Sequence, residues 1–239
     1  MENITLKLWN RVKKFIKDNS LFKKDDKILI AVSGGPDSMA LLHFFHKAVK
    51  NEIFVFHLNH GIRKDAIKDE KIVEDYCKEN NIPFFKEQLN IPKLAGKQNL
   101  EHIARKKRYE LFLKYALKCR ANVVVTAHNG DENIETFILN LLRSNKLSAL
   151  TGIPVKRKLS KKVYVIRPFL CVKKSKIISY LKANHIKYAI DKTNFNTNYT
   201  RNWIRHKLLP LLEKKQPNFR EHIIEITKQI QQIIKTKKH

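Results

Sequence analysis

The feature that most constrains this chain is a short apolar run, Ile28-Leu29-Ile30-Ala31-Val32, that breaks into Ser33-Gly34-Gly35-Pro36-Asp37-Ser38. A stretch rich in Met39, Leu41, Leu42, Phe44 and Phe45 follows. The order is strand, tight glycine turn, helix, which is the opening unit of an α/β sheet. Two adjacent glycines let the backbone approach an anion and turn its N–H groups inward. The helix that follows offers the positive end of its dipole. Ser33 and Ser38 add hydroxyl donors. A bare phosphate would repel Asp37, so a carboxylate there makes most chemical sense holding Mg²⁺. An ordinary strand-to-helix turn is the bland alternative on spacing alone.

Further apolar runs predict strands at 53–57, 83–89, 122–126 and 163–167, with helices over 69–80, 100–118, 132–143 and 174–184. Alternation of this kind predicts an open, mainly parallel, five-stranded Rossmann-like sheet with helices on both faces. In 132–143, Ile134, Phe137, Ile138, Leu141 and Leu142 share one helix face. Pro210 and Pro217 mark a boundary, and the expected division is a domain over 1–213 and a helical tail over 214–239. The tail carries Phe219, Ile223, Ile226, Ile230 and Ile233 at alternating spacings of four and three. That seam suits docking on its own domain or pairing with a second subunit, so a monomer and a homodimer both stay open.

The 239 residues include 49 Lys plus Arg against 22 Asp plus Glu, a net charge of +27. Solubility needs far less, and a polyanionic partner, nucleic acid first, is the natural reading. The surplus is uneven: residues 1–150 carry 27 cations and 18 anions, whereas 151–239 carry 22 and 4. Lys156, Arg157, Lys158, Lys161 and Lys162 crowd one segment, expected as an exposed loop. Tyr199, Arg201, Trp203 and Arg205 interleave aromatics with cations, which suits RNA through stacking and phosphate contacts, although a core aromatic helix is the plainer reading of Trp203. No apolar run approaches the roughly 20 residues of a membrane helix. The first fifteen residues are amphipathic and mixed in charge, unlike a signal peptide. Cys77, Cys119 and Cys171 are scattered, which disfavours a disulfide framework or a cysteine-rich metal site. A cytoplasmic protein is expected.

The hexapeptide 33–38 resembles the SGGxDS pyrophosphate loop of the N-type ATP pyrophosphatases (adenine nucleotide alpha hydrolase-like fold), which cleave ATP between the α and β phosphates. Within that superfamily, His57-Leu58-Asn59-His60-Gly61-Ile62-Arg63 looks like the His-x-x-His-Gly-Leu-Arg stretch of tRNA(Ile)-lysidine synthases. Its two histidines point to opposite faces of a strand, which argues against zinc. Glu101, Arg105, Arg108 and Tyr109 resemble the family's Glu-x-x-Ala-Arg-x-x-Arg-Tyr helix, and their spacing allows a phosphate or carboxylate clamp, with an exposed salt-bridged helix face as the reading favoured without the resemblance. Thr126-Ala127-His128 with Asp131, Glu135 and Thr136 resembles Thr-Ala-His-x-x-Asp-Asp-Gln-x-Glu-Thr, except that Glu132 and Asn133 replace Asp and Gln. A plain N-cap is the bland reading of Asp131. Arg167-Pro168-Phe169-Leu170, Asp191-Lys192-Thr193-Asn194 and the run from Tyr199 to Pro210 resemble later family signatures. Ser144, Lys146 and Ala149 stand where the family usually has glycine, and strain is expected there if those glycines use positive φ.

What the resemblance implies is ligation of free lysine to C2 of the wobble cytidine of a CAU-anticodon tRNA, using ATP and Mg²⁺. It implies catalytic roles for Asp37, Arg105, His128, Asp131 and Glu135. Ser33, Gly34, Gly35, Pro36, Asp37, Ser38, His60 and Arg63 would hold ATP, with Asp37 on the metal. Lys156, Arg157, Lys158, Lys161, Lys162, Arg201 and Arg205 are the expected tRNA contacts. The alternatives are a tRNA thiolation enzyme, whose better-known forms rely on cysteine pairs, and an idle basic tRNA-binding protein.

Overall fold

The structure is a computed structural model that describes residues 2–61, 66–96, 99–190 and 197–236. Arg63 and the segment 191–194 lie outside the described residues. The chain forms two compact units: Met1–Asn129 with Val155–Ile190, and Gly130–Pro154 with Asp191–His239.

The first unit is built on a sheet. Its strands are β1 (Ile28–Ala31), β2 (Ile53–Asn59), β3 (Phe84–Gln88), β4 (Val123–Val125), β5 (Lys156–Lys158) and β6 (Tyr164–Ile166). They lie in the order β3-β2-β1-β4-β6-β5. All neighbours pair parallel except β5, which runs antiparallel to β6 with Lys156 opposite Ile166. The sheet therefore has six strands rather than the five expected, and part of the cationic 156–162 segment is strand rather than loop. β5 is an exposed edge, and three cations there keep its free side from pairing with other chains.

Strand alternation splits the core between the two faces. Ile28, Ile30, Val123, Val125 and Ile166 face the helices α1 (Glu2–Asp18), α2 (Pro36–Ala48), α3 (Ala66–Glu79) and α7 (Lys174–Ala183), packing with Leu8, Phe44, Val73 and Ile177. Leu29, Phe56, Val124 and Val165 face α5 (Leu100–Lys118) through Phe112, Tyr115 and Ala116. A short helix α4 (Ile91–Ala95) joins β3 to α5. Strand order reverses at β1, so the carboxyl ends of β1 and β4 border the crevice where open α/β sheets gather ligands.

The second unit is helical. It comprises α6 (Gly130–Arg143), a 3₁₀ turn (Leu147–Thr151), α8 (Thr200–Trp203), α9 (Leu209–Lys215) and α10 (Phe219–Thr236). A π-helical turn, Ile204–Leu208, joins α8 to α9. Pro210 just beyond it lacks an N–H, and a widened turn accommodates the missing donor. Ile134, Phe137 and Ile138 of α6 pack with Ile204, Leu209, Ile223 and Ile230. Leu141 and Leu142 stay exposed at 56% and 59%, so the apolar face of α6 is buried only through its first part. Of the tail seam, Ile223 and Ile230 dock within this unit while Ile226 and Ile233 remain exposed. Trp203 is also exposed, at 43%, rather than a core residue.

The glycine-poor stretch carries no strain of the kind expected. Among the described residues, the non-glycine residues at positive φ are Ser20, Asn81, Arg120 and His185, and Ser144, Lys146 and Ala149 are not among them. Among the described residues, no helix is long and apolar enough to cross a membrane.

Candidate functional site

The loop at the end of β1 is held by its own side chains. The Ser33 N–H donates to Ser38 Oγ at 3.1 Å, and Ser38 Oγ donates to the Gly35 carbonyl at 2.9 Å. Ser33 Oγ lies 3.1 Å from Ser38 Oγ. Gly34 has φ +86, and a Cβ there would come within 2.7 Å of the Asp69 carbonyl oxygen of α3. Only glycine fits both the conformation and the approach. Gly35 is the N-cap of α2 and puts no side chain on the first-turn N–H groups. Pro36 and Asp37 then open the helix. The turn thus keeps a helix N-terminus clear of capping side chains, the arrangement that receives an anion.

Asp37 is the focus of this loop. Its Oδ1 accepts from Asn129 Nδ2 at 3.0 Å, and its Oδ2 forms an ion pair with the Lys174 ammonium. Asn129 follows β4 and is buried; Lys174 opens α7. Sequence reasoning assigned no role to either. Lys174 is separated from Asp37 by most of the domain, and the available signal was only a cation shortly after Arg167-Pro168. Thr126 Oγ1 lies 3.0 Å from His128 Nδ1, so the segment after β4 is ordered by its own polar groups.

Two histidines flank the end of β2. His57 is buried, with Nδ1 2.8 Å from the Val32 carbonyl oxygen. Burial lowers its pKa, against the raising effect of that bond. His60 Nε2 lies 3.4 Å from Arg108 Nη2. Burial first, then Arg108 and His57, lower the His60 pKa to about 4. A neutral His60 can therefore accept from the Arg108 guanidinium. Among the described residues, no group of three or more His, Cys, Asp or Glu side chains could hold a metal ion. Asp37 supplies one carboxylate, with Oδ2 paired to the Lys174 ammonium; a single carboxylate suits Mg²⁺ that takes its remaining ligands from phosphate and water.

Arg105 belongs to a third cluster. Its guanidinium carbon sits 5.6 Å from the Tyr109 ring centroid, and that of Arg157 sits 4.9 Å away. Arg167 is buried and donates from Nη2 to Tyr109 Oη at 2.9 Å. Burial pushes the Tyr109 phenol up, but Arg167, Arg105 and Arg157 outweigh it and hold its pKa below the ordinary value. Three guanidinium groups around one phenol make an anion-attracting corner at the carboxyl end of β6. Lys156, Lys158, Lys161 and Lys162 are exposed.

The second unit gathers Asp131, Glu135, Arg201 and Arg205. Glu135 is fully buried and bidentate to Arg205, at 2.6 Å to Nε and 2.9 Å to Nη2. Arg201 Nη2 donates to Thr136 Oγ1 at 2.8 Å. Asp131 lies inside the first turn of α6, which begins at Gly130, and is not its N-cap. Its Oδ1 instead pairs with Arg220 of the tail helix, which also clamps Glu213. Asn133 accepts from the Ile153 N–H at 2.6 Å, so its departure from the usual Gln serves the turn after Gly152.

Residues 4–212 match the family model of the PP-loop domain. A tRNA(Ile)-lysidine synthase from Petrotoga mobilis is 38% identical over 224 residues, covering 91% of this chain and 70% of its own. The bifunctional protein TilS/HprT of Listeria innocua is 42% identical over 217 residues, covering 89% of this chain; this chain spans 33% of its length. Among solved structures, the U34-tRNA thiolase NcsA from Methanococcus maripaludis, with its [4Fe-4S] cluster, superposes with a TM-score of 0.78. It covers 96% of this chain and 80% of its own at 16% identity, which shows a shared fold.

Proposed function

Since the chain belongs to the PP-loop family and, within it, to the tRNA(Ile)-lysidine synthases, we propose that it ligates free lysine to C2 of the wobble cytidine in CAU-anticodon tRNA(Ile). In the first step the C2 oxygen bonds to the α-phosphorus of ATP and pyrophosphate leaves. In the second a lysine amine bonds to C2, AMP departs with the oxygen, and the amine loses a proton. The product reads AUA as isoleucine. The reaction runs in the cytoplasm, where tRNA and ATP meet.

The backbone of 33–38 and the open end of α2 take the phosphates, with Ser33 and Ser38 as hydroxyl donors. Asp37 would hold Mg²⁺, which would supply charge neutralisation for the departing pyrophosphate. Asn129 fixes the Asp37 carboxylate. His60 and Arg63 serve the adenine side of ATP, and Arg105 the phosphate that stays with AMP. Attack requires a neutral amine. Asp131 and Glu135 are bound by Arg220 and Arg205, so each serves by orienting a guanidinium. We assign proton removal to His128. Residues 1–213 form the catalytic part, and 214–239 the tail that acts through Arg220. Lys156, Arg157, Lys158, Lys161, Lys162, Arg201 and Arg205 face the RNA, Arg205 after sharing its guanidinium with Glu135.

One observation supports the chemistry: Asp37, at the mouth of a glycine turn, pairs one oxygen with the Lys174 ammonium and is fixed by Asn129 on the other. The test is nucleoside mass spectrometry of CAU-anticodon tRNA after incubation with the protein, ATP, Mg²⁺ and lysine. The expected product has the mass of cytidine plus lysine less water. Unmodified cytidine under these conditions rules the reading out.

A further inference from the structure

At the end of the sheet opposite the glycine loop, where β1, β4 and β6 begin, the first unit carries a groove of about 790 Å³. Five lysines line it: Lys13 and Lys17 from α1, Lys23 from the turn before β1, Lys156 from β5 and Lys162 from the turn before β6. All five are exposed, and none makes an ion pair among the described residues. Asp26, the one acid in the lining, is already used. It accepts from the Lys23 N–H at 2.6 Å and from the Asn122 side-chain amide. Leu21, Val49 and Tyr164 give the groove an apolar floor. Lys156 is positioned rather than loose: its ammonium donates to the Ser20 carbonyl at 3.1 Å and lies 4.9 Å from the centroid of the Tyr164 ring.

The shape of this charge decides its ligand. A single small anion is fixed by a fork of donors or a buried cation, and this groove has neither. Its cations are point charges on separate segments, which suit a run of phosphates rather than one. Carboxylates of an acidic protein prefer bidentate arginine, which the lining lacks. The extended run from Asp26 to Ser33 covers on the order of 20 Å at ~3.3 Å per residue. A molecule touching both groove and loop is therefore longer than a nucleotide.

We propose that this groove is a second RNA-backbone site, holding phosphates of the same tRNA whose wobble base is modified at the loop end. The inference rests on the proposed function for the identity of the RNA.

The experiment compares the wild type with the triple variant Lys13→Gln/Lys17→Gln/Lys23→Gln. Dissociation constants for CAU-anticodon tRNA are measured across a salt series, with circular-dichroism melting as the control for folding. Each lost phosphate contact removes about one unit from the slope of log affinity against log salt. The expected result is a slope shallower by about three units and affinity at physiological salt reduced about tenfold or more. A photo-crosslinker placed at Lys17 should mark nucleotides outside the anticodon loop. An unchanged slope, crosslinks confined to the anticodon loop, or competition by poly-glutamate equal to that by RNA would each overturn the proposal. A wild type that makes no lysidine but whose variant loses the slope keeps the groove and discards the reaction.

Discussion

The Lys174 ammonium sits on the carboxylate of Asp37, where the proposed function puts the metal. On that proposal a lysine and Mg²⁺ compete for one oxygen. Removing the lysine as Lys174→Met should lower the Mg²⁺ concentration giving half-maximal ATP-analogue binding, while pyrophosphate release slows because a positive charge beside the proposed phosphate loop is gone. Calorimetric titration at several Mg²⁺ concentrations reads the first effect, and ATP/pyrophosphate exchange the second. An unchanged Mg²⁺ requirement would mean that the pair is only a surface contact.

Asp37→Ala should abolish adenylation, by about a hundredfold or more, with tRNA affinity changed little. Asp37 is asked to hold metal, and it touches Lys174 and Asn129 rather than an RNA surface. Exchange assays and filter binding of tRNA separate the two. A large loss of tRNA binding contradicts the role given to this carboxylate.

Glu135 and Arg205 give a stability prediction. Breaking a fully buried pair costs about 3–5 kcal/mol, but the Arg205 side chain is 33% exposed and water screens part of its charge once Glu135 is gone. Glu135→Ala should therefore cost about 2–3 kcal/mol, and adding Arg205→Ala should recover part of it. Urea unfolding of the two single variants and the double variant closes the cycle; simple additivity would deny the coupling.

Acid should destabilise the protein earlier than its carboxylates alone would predict. His43 and His60 are each held near a pKa of about 4, His43 by burial, then Lys47 and His46. The unfolded chain binds protons at these sites from about pH 6.5 downward, so stability is full above that value and falls as pH drops toward 4. The loss approaches roughly 3 kcal/mol per histidine at the lower end. Melting curves between pH 7.5 and 4.5 measure it, and His60→Asn should flatten the dependence. Imidazole resonances of His43 and His60 that titrate near 6.5 would refute the assignment.

Gly152 has φ +66, and a Cβ there would collide with the Asn133 side chain. Gly152→Ala should cost about 1–3 kcal/mol, measured by urea unfolding. Asn133→Ala in the same chain removes the collision but also the 2.6 Å bond from the Ile153 N–H, so the double variant should regain only part. Wild-type stability in Gly152→Ala would show that the turn has another way to close.

Much of this architecture could be read from residue order because β1, β2 and β4 are buried on both faces and appear as unbroken apolar runs. The glycine loop was equally legible, since only glycine permits the φ of Gly34 and the approach of Asp69. β5 was not: an exposed edge of Lys156, Arg157 and Lys158 has no apolar periodicity, and pairing with β6 alone makes it a strand. Lys174 and Asn129 were hidden because their role depends on where the fold returns them, far from Asp37 in sequence. For Asp131 the sequence offered a catalytic role or a plain N-cap; its ion pair with Arg220 was hidden because that residue belongs to the tail.

That partnership changes what counts as dispensable. The family match ends at residue 212, so a designer trimming the chain to its shared domain would cut there. The trimmed protein would lose Ile223 and Ile230 from beneath α6, and Asp131 would lose its ion pair with Arg220. Helix α10 is thus a built-in electrostatic brace for a residue 89 positions upstream, and truncations designed from alignments alone would mistake its removal for a neutral edit.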